Sequence, residues 1–462
     1  MAGVVAVAGG ASPLSWPIGI GPYNTTLPVN RIALVTHTTS YGAAGFVEAC
    51  RRAGSEVVLA SDRCHVLDRS WHWPANSLVI DFSDPDEAAA VIAAADAREA
   101  PIAAVLPVGG ELPAQVAASA ARRLGLPANA PAAMASAGNK LLMRTRLASA
   151  SDPAVRQPRY FAVACGTAPE VVAERVRAPD GVGFPCVVKP LTLSGSRGVM
   201  RADDGPSLAV ALARLERLLA DPALRRPDPD AAGQILVESF VRGSEYALEG
   251  ILTRGQLHVL ALFDKPDPLD GPTFEETIYV TPSRRPLPDQ RRISEAVAAA
   301  ARALGLETGP VHAELRWDED AGAPVLIEMA ARPIGGLCAR SLRFESGFSL
   351  EDVVVRHALG AADVPTRIGG ASGVMMIPIP ARVPSALRAV DGLEAARAVA
   401  GVDDVVISVR VGETLVPLPE GASYTGFIFA TGEDAAAVER SLRTAHAHLR
   451  FTVAPLVPVM RR

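Results

Sequence analysis

The sequence predicts an α/β protein of about three domains, with a parallel sheet in its N-terminal part. The chain has 462 residues, which is too long for a single hydrophobic core. Its N-terminal part alternates short apolar strands with helical segments, as strands joined by helical crossovers do. Its C-terminal part combines several strands with one long helix, which predicts an α+β domain there.

The composition fits a soluble globular protein, with 49% hydrophobic and 21% charged residues. The net charge of −5 gives no bulk indication of nucleic-acid binding or of a polybasic membrane role. None of the five cysteines forms a CxxC pair, which predicts a reduced, cytoplasmic protein. The apolar N-terminus lacks basic residues and is interrupted by Pro13, Pro17 and Pro22, so neither a signal peptide nor a membrane span is predicted.

The N-terminal region, residues 1–128, begins with a predicted irregular arm over 1–29. The predicted strands are 31–36, 56–60 and 102–107, and the predicted helices are 46–53 and 112–124. Strand, helix and strand in this order indicate a parallel sheet. Gly42 and Gly45 follow the first strand in a pattern that is not GxGxxG. They are interpreted first as a structural turn, with a substrate-side loop as the alternative.

The remaining chain divides into residues 129–370 and 371–462. In the middle region we predict helices over 208–220 and 290–304, a loop over 221–233, and a helix that Ser349 caps and that ends at Leu359. The C-terminal predictions are strands 373–378, 405–409 and 426–430 and a helix over 433–449. His446 and His448 lie two apart on that helix and are predicted to be surface residues rather than ligands.

Two acidic strands, 311–317 and 325–332, are separated by a predicted hairpin loop over 318–323. Because strand side chains alternate, one face of each strand carries the polar residues. The first face holds His312, Glu314 and Arg316, and the second holds Leu326, Glu328, Ala330 and Arg332. Carboxylates among apolar strand residues are costly unless paired or bound to metal, and two of them suit Mg²⁺ held against phosphates. These strands alone leave a magnesium site and a solvent-facing charged hairpin both open.

A predicted strand over 185–190 ends in Lys189-Pro190 and leads directly into a small-residue loop, 191–199. Backbone N–H groups of such a loop can wrap phosphate oxygens, and glycine allows the close approach. Lys189 would reach the phosphates as a point charge. The loop matches neither GxxxxGK[ST] nor GxGxxG, so an ordinary hairpin turn with a surface lysine remains the alternative.

Glu238 ends an apolar strand over 235–238, and Glu245 follows seven residues later, past a glycine. This spacing suits a purine nucleotide, because the extended backbone of 239–241 can pair with the adenine edge and the second carboxylate can hold the ribose hydroxyls. Upstream, Lys140 stands near the start of a helix, where the helix dipole mildly disfavours it. A phosphate ligand would explain it, and an exposed lysine would explain it more simply.

Taken in order, these features resemble the ATP-grasp superfamily, most closely over residues from about 130 to 340. Further segments look more narrowly like the L-amino acid ligases. These are 245–250, 263–266, 274–276, Gly335-Gly336, 375–380 and 426–428. The resemblance implies an ATP-grasp fold, with a pre-ATP-grasp domain at 1–128, an ATP-grasp domain at 129–370 whose mobile lid covers about 185–235, and a ligase-like α+β domain at 371–462.

The reaction that the resemblance implies is ATP-dependent formation of an amide bond. A carboxylic acid, here an amino acid, would join an amine or a second amino acid through an acyl phosphate, with release of ADP and phosphate. Two alternatives stay open. One is another ATP-grasp reaction, such as carboxylation, although no Met-Lys biotinyl motif occurs in the chain. The other is a nucleotide-binding regulator without turnover.

The resemblance also implies roles for individual residues. The ATP-binding residues would be Lys140 and Lys189 on the phosphates, the lid residues Ser194, Gly195, Ser196 and Gly198, Glu238 with the backbone of Ser239, Phe240 and Val241 on adenine, and Glu245 on ribose. Glu314 and Glu328 would hold the metal, and Arg332 would steady the acyl phosphate and the tetrahedral adduct. The substrate-binding residues would be Glu276, Tyr279, His312, Gly335 and Gly336. For His312, a hydrogen bond within the sheet is an equal alternative.

The implied cosubstrate is ATP, and the implied metal is Mg²⁺, or Mn²⁺ in its place, as one or two ions. The count is open because Ala330 stands where the family usually has Asn. Either Glu328 bridges both ions, or water fills the gap, or one ion binds weakly. The implied partners are a small-molecule carboxylate and an amine, without nucleic acid or membrane, and a homodimer stays open.

Overall fold

The computed structural model describes residues 30–38, 40–62, 76–96 and 100–456. The arm predicted for 1–29 lies outside the described residues. The four cysteines within them are free thiols, namely Cys50, Cys165, Cys186 and Cys338. None of the helices in this part of the chain combines the length and the apolar composition that a membrane crossing requires.

A four-stranded parallel sheet forms the N-terminal region, in the order β3-β2-β1-β4. Its strands are β1 (Arg31–Thr36), β2 (Glu56–Ser61), β3 (Ser77–Val79) and β4 (Ile102–Val108). Its helices are α1 (Ala43–Arg52), α2 (Pro85–Asp96) and α3 (Glu111–Arg123). The parallel sheet is therefore confirmed. Gly45, which we expected in the turn before α1, lies instead in the first turn of that helix.

A second sheet is small and antiparallel, in the order β5-β8-β6-β7. Before it come α4 (Pro131–Gly138) and α5 (Lys140–Ala148), and its strands are β5 (Tyr160–Ala164), β6 (Cys186–Pro190), β7 (Met200–Ala202) and β8 (Gln234–Ser239). Its helices are α6 (Pro169–Arg177) and α7 (Gly205–Leu219). The apolar stripe of α7, which includes Leu208 and Leu215, packs with β6 and β8 in one core.

The loop predicted over 221–233 is wrong, because two short helices lie there, α8 (Pro222–Arg225) and α9 (Pro229–Ala232). Each helix begins at an Asp-Pro pair. The carboxylate of Asp221 or Asp228 accepts a hydrogen bond from a first-turn N–H, and proline occupies the first helical position. The Pro and Asp residues that suggested a loop are helix-start signals here.

The third sheet has eight antiparallel strands in the order β13-β12-β9-β10-β11-β14-β18-β16. The strands from here on are β9 (Glu245–Thr253), β10 (Gln256–Lys265), β11 (Ile278–Thr281), β12 (Gly309–Asp318), β13 (Ala323–Ala330), β14 (Ala371–Ile377), β15 (Ser385–Asp391), β16 (Val402–Ile407), β17 (Thr414–Leu415), β18 (Gly426–Gly432) and β19 (Arg450–Pro455). β15, β17 and β19 form a separate three-stranded sheet. The eight-stranded sheet runs through the pair β11–β14 and so crosses the chain position 370 that we predicted as a boundary.

Helices cover the eight-stranded sheet and connect it to the N-terminal region. They are α10 (Leu287–Leu304), α11 (Leu350–Ala358), α12 (Leu393–Arg397) and α13 (Ala435–His448). α11 starts as predicted, because Ser349 and Asp352 form a reciprocal capping box. α1 lies against α11, where Arg52 donates two hydrogen bonds to Asp352. On α13, His448 is exposed and His446 is half-buried.

Candidate functional site

The sheets enclose a cavity of about 560 Å³. Its walls come from loops after β1 and β4, from the start of α5, from the strand end and loop around Lys189, and from one face of the eight-stranded sheet. A cavity of this size, with polar groups converging on it, is typical of a small-molecule site. All but one of the sequence-predicted site residues line this cavity, and Gly198 is the exception. The lining residues among them are Lys140, Lys189, Ser194, Gly195, Ser196, Glu238, Ser239, Phe240, Val241, Glu245, Glu276, Tyr279, His312, Glu314, Glu328, Arg332, Gly335 and Gly336.

Glu314 and Glu328 are directly opposite each other on β12 and β13, so the hairpin predicted from the sequence forms. Glu328 Oε1 lies 3.1 Å from Lys140 Nζ, and the Glu328 side chain is 26% exposed, toward the cavity. Glu314 Oε1 lies 3.4 Å from His312 Nε2. The alternative of a solvent-facing charged hairpin is therefore excluded.

A β-bulge sets this pairing. Leu315 pairs with Leu326, but Glu314 pairs with Glu328, so Ile327 is an extra residue on β13. The Ile327 carbonyl accepts a hydrogen bond from Arg144 Nη2 at 2.6 Å. The prediction that Leu326 shares the face of Glu328 is wrong, because the bulge leaves Leu326 in the core with Leu315.

Lys265, at the end of β10, lies among three carboxylates. Its Nζ is 2.5 Å from Glu245, 2.8 Å from Glu276 and 3.6 Å from Glu314. Oxygen atoms of these three glutamates lie within 4.8 Å of one another. The carboxylates raise the pKa of the buried Lys265 ammonium well above its usual value, although burial alone would lower it. Lys265 therefore carries a fixed positive charge on this face, although no sequence pattern indicated that it is a site residue.

Glu314 is held ionised by its surroundings. Burial alone would raise its pKa, but the Lys265 ammonium and the hydrogen bond from His312 hold the pKa of Glu314 at about 2. The Tyr279 hydroxyl donates to Glu276 Oε1 at 2.9 Å, so Tyr279 and Glu276 belong to the same group of contacts.

His312 is opposite Glu249 on β9 and hydrogen-bonds to it through Nδ1. The second Glu249 oxygen accepts from the Ile334 N–H at 3.2 Å. Burial lowers the His312 pKa, yet the two neighbouring glutamates raise it to about 10, so the ring is an imidazolium that donates from both nitrogens. The hydrogen bond within the sheet, which the sequence left as an alternative, is present, and His312 also lines the cavity.

The two lysines that the sequence predicts to bind phosphates are buried rather than exposed. Lys140 and Lys189 are 6% and 4% exposed, which excludes the surface-lysine interpretations. Lys189 Nζ lies 2.6 Å from Glu238 Oε2, and Arg144 Nε lies 2.7 Å from Glu238 Oε1. Despite burial, these two cations lower the Glu238 pKa. Arg144, which is fully buried, was missed because nothing near it in the sequence indicates a distant carboxylate.

The glycine loop between β6 and β7 contains a run of left-handed backbone at Leu193, Gly195, Ser196 and Gly198. It contacts the C-terminal region, where the Gly198 N–H donates to the Pro419 carbonyl at 2.8 Å and Arg197 Nε donates to the Glu420 carbonyl at 2.8 Å. Lys140 Nζ donates to the Leu193 carbonyl at 2.8 Å. The loop is therefore closed over the cavity.

The segment 239–241 follows β8 beside this loop. The Phe240 ring stacks on Phe274 with centroids 6.3 Å apart. The Val241 carbonyl accepts from Arg316 Nη1 at 2.9 Å, and Arg316 Nε also donates to Glu245 at 2.9 Å. Within the described residues, no group accepts a hydrogen bond from the Val241 N–H.

Arg332 also lines the cavity and is 9% exposed. Its Nε and Nη2 lie 3.1 and 2.9 Å from Glu111 Oε1, and Glu111 is the first residue of α3. Burial would raise the Glu111 pKa, but Arg332 and Lys140 lower it. The N-terminal region thus supplies the carboxylate that holds Arg332. A Cβ at Gly336, whose φ is 63°, would lie 3.0 Å from the Phe427 ring.

Two family models match the chain. An ATP-grasp domain matches residues 182–341, and an L-amino acid ligase C-terminal domain 2 matches residues 379–454.

Several known proteins are similar in sequence to parts of the chain. The uncharacterized protein y4rH of Sinorhizobium fredii is 26% identical over 72% of this chain and 65% of its own length. Carnosine synthase 1 of Homo sapiens is 29% identical over 53% of this chain and 30% of its own length. Alanine–anticapsin ligase of Bacillus subtilis is 28% identical over 47% of this chain and 46% of its own length. The chain therefore spans less than two thirds of each of these relatives.

Solved structures match nearly the whole chain. An L-amino acid ligase from Bacillus licheniformis superposes with a TM-score of 0.74 and 24% identity, covering 92% of this chain and 99% of its own. The biotin carboxylase domain of the Hydrogenobacter thermophilus 2-oxoglutarate carboxylase, solved as a dimer with MgADP and bicarbonate, superposes with a TM-score of 0.63 and 15% identity, covering 93% and 92%. At these identities the similarity establishes the fold, a mixed α/β ATP-grasp fold.

Proposed function

We propose that this chain, an ATP-grasp protein with an L-amino acid ligase C-terminal domain, is an ATP-dependent ligase. It joins a carboxylic acid, in our proposal an amino acid, to an amine or a second amino acid through an acyl phosphate, and it releases ADP and phosphate. The observation that carries the proposal is one cavity that contains two facing carboxylates, Glu314 and Glu328, together with the cations Lys140, Lys189 and Arg332.

For the nucleotide, we propose that Lys140 and Lys189 bind the phosphates beneath the glycine loop. Both Glu238 oxygens already accept from Arg144 and Lys189, so Glu238 fixes the position of Lys189. The Val241 N–H, which no described group accepts, is the donor for the adenine edge. Glu245 keeps acceptor capacity beyond its two cation contacts, and this capacity serves the ribose hydroxyls.

The residues present fit a hard divalent cation, because carboxylate oxygens on facing strand positions are ligands that Mg²⁺ prefers. Glu314 and Glu328 would hold Mg²⁺, or Mn²⁺ in its place. The ion would neutralise charge on the phosphates when bound. Ala330 offers no ligand atom, while Lys265 already supplies one positive charge beside Glu314. One ion or two ions are compatible with this set.

The chain's own groups then do what phosphoryl transfer requires, which is positioning and charge stabilisation. Arg332, fixed by Glu111, faces the developing negative charge of the acyl phosphate and of the adduct formed by the amine. The closed glycine loop excludes water from the reactive acyl phosphate. Glu276 with Tyr279, and Gly335 with Gly336, form the substrate side of the cavity.

The test is release of ADP and phosphate in the presence of Mg²⁺ and pairs from a panel of L-amino acids, with product mass measured for each active pair. At least one pair should stimulate release and give the mass of an amide. Glu328→Gln should abolish turnover without unfolding the protein, because it removes a charged ligand at a part-exposed position.

The matched control is Glu319→Gln, in the exposed turn of the same hairpin, which should behave as the wild type. ATP binding without stimulation by any pair would contradict the ligase proposal. Stimulation by bicarbonate alone would favour carboxylation instead. Wild-type turnover in Glu328→Gln would remove Glu328 from the metal site.

A further inference from the structure

Glu351, the second residue of α11, is a buried carboxylate in the cavity wall to which the proposed reaction gives no role. It is 8% exposed and lines the cavity. Its neighbour Asp352 has an evident structural role, since it caps α11 and accepts from Arg52. Glu351 takes no part in that cap.

The cavity offers a comparison among carboxylates. Six glutamates within the described residues line it, and five have a cation partner. The paired ones are Glu238, Glu245, Glu276, Glu314 and Glu328. Glu351 is the sixth, and no described residue gives its carboxylate a hydrogen bond or an ion pair. Arg52 interacts with Glu351 only through its charge, since its guanidinium is hydrogen-bonded to Asp352.

The Glu351 side chain is mostly buried, but its carboxylate oxygens are exposed to the cavity. A cationic ligand in the cavity would therefore supply the partner that this carboxylate lacks.

The absence of a side chain at Gly45 leaves room for the Glu351 carboxylate. A Cβ at Gly45, in the first turn of α1, would lie 3.0 Å from Glu351 Oε1. Two tyrosines, Tyr41 and Tyr424, also line the cavity and pack on Phe427 with ring centroids 5.6 and 6.2 Å apart. A carboxylate in a wall that also contains aromatic rings suits an organic ammonium group.

We propose that Glu351 binds the ammonium group of an amino-acid substrate and so selects substrates that carry this charge. The assignment rests on the proposed function, in which a carboxylate and an amine meet in this cavity. It adds the residue that distinguishes an amino acid from a plain carboxylic acid or a neutral amine. Glu351 is a binding residue, and it takes no part in the phosphoryl transfer.

The first test measures Glu351→Gln with an amino-acid pair found active in the panel. The KM for one of the two amino acids should rise about tenfold or more, the effect of losing a charge-assisted hydrogen bond, while the KM for ATP stays within about twofold. The wild-type preference for that amino acid over the same acid without its amino group should fall by the same factor. Glu48→Gln, on the exposed surface of α1, is the matched control and should change neither value.

The second test does not depend on turnover. Because Glu351 is unpaired in the ligand-free protein, Glu351→Gln should unfold at the same or a higher temperature than the wild type. Gly45→Ala keeps the charge but crowds the carboxylate, and it should raise the same KM as Glu351→Gln.

The outcomes separate the two proposals. A wild type that turns over pairs, with Glu351→Gln and Gly45→Ala unchanged in every KM, overturns the Glu351 assignment alone. A clear loss of thermal stability in Glu351→Gln also overturns it, since that result would reveal a structural partner. A wild type that responds to no pair in the panel overturns the proposed function, and the Glu351 assignment falls with it.

Discussion

Charges of opposite sign lie side by side on the sheet face beneath the cavity. Arg316, Glu245 and Lys265 form one row across β12, β9 and β10, and His312 and Glu249 form another, with Glu314 and Ala247 between the two rows. Each buried charge thereby lies beside an opposite one, which is the condition for keeping it ionised. The face is charged and fixed before any ligand arrives, and such preorganisation suits a reaction that needs charge stabilisation.

The ion pair of Glu238 with Arg144 and Lys189 should be a major stabilising contact in the nucleotide-free protein. Glu238→Gln leaves the fully buried Arg144 without its carboxylate, so the free energy of unfolding should fall by about 3–5 kcal/mol in urea denaturation at neutral pH. Glu48→Gln, on the surface, should change it by less than about 0.5 kcal/mol.

The pH dependence of that difference follows from the lowered pKa of Glu238. The ionised Glu238 contributes to the free energy of unfolding at pH values above 4.5, the ordinary pKa of the carboxyl group. This contribution is lost as the pH falls below 4.5 toward the lower pKa that Glu238 has in the folded protein. The gap between wild type and Glu238→Gln should therefore narrow under acid conditions. A gap that is absent at neutral pH, or that widens in acid, would contradict the pairing.

Ala330 limits the ligands available to metal. It is 2% exposed, lines the cavity and lies opposite His312. Ala330→Asn should supply an amide oxygen and strengthen Mn²⁺ binding to the ADP complex by several-fold or more, roughly one additional ligand's effect, in a calorimetric titration. Ala330→Leu, which has the branched heavy-atom skeleton of Asn but no side-chain ligand atom, should weaken Mn²⁺ binding. Equal affinities of wild type and Ala330→Asn would show that position 330 does not face the ion.

At the element scale, much of the fold could be predicted from the sequence. Alternation and turn residues located the acidic hairpin, the parallel N-terminal sheet and the capped start of α11. The helices α8 and α9 were missed because Asp-Pro pairs start helices as well as loops. Strand register was harder to predict, because a shift of one residue moves every later side chain to the opposite face of the sheet.

Lys265 shows why register could not be obtained from the sequence. The two-residue turn at Arg254-Gly255 joins β9 to β10, and counting back from the pair Thr253–Gln256 would place Asp264 opposite Glu245. A bulge between Val259 and Ala261 shifts the pairing, so Lys265 takes that place. Alternation of apolar residues does not reveal such a bulge, and Lys265 therefore escaped identification.

The glycine loop should depend on its contact with the C-terminal region. Arg214 donates to both Glu420 oxygens, at 2.5 and 2.7 Å, from α7. Glu420→Ala should speed amide hydrogen exchange in the loop 191–199 and raise the KM for ATP. The global stability should change by less than about 1 kcal/mol, because the pair is more than a third exposed. Glu433→Ala, at an exposed position of the same region, should have no effect, and unchanged exchange in Glu420→Ala would contradict this role.

At the scale of the whole molecule, distant parts of the chain build one site. Glu111 from the N-terminal region holds Arg332, and Arg144 from α5 holds both Glu238 and the bulge at Ile327. These partners lie about a hundred residues or more from the groups they fix, and the sequence contains no local signal for such pairs. The cations and carboxylates themselves could be predicted, but their supporting partners could not.

The eight-stranded sheet should make the middle and C-terminal regions fold together. One core contains Phe263 and Tyr279 from the middle region and Val374, Phe427 and Phe429 from the C-terminal region. A chain that stops after residue 370 would lose the strand paired with β11 and expose this core. It should be insoluble or unfold without a cooperative transition in circular dichroism. A soluble 1–370 chain with a sharp transition would show that the regions fold independently.

The most direct test of the central claim follows the oxygen atoms. A carboxylate substrate from an active pair, labelled with a heavy oxygen isotope in its carboxyl group, is turned over with ATP, and the released phosphate is analysed by mass. An acyl-phosphate ligase transfers one labelled oxygen to phosphate, and this is the result that the site predicts. Unlabelled phosphate, or label found in AMP instead, would contradict the account.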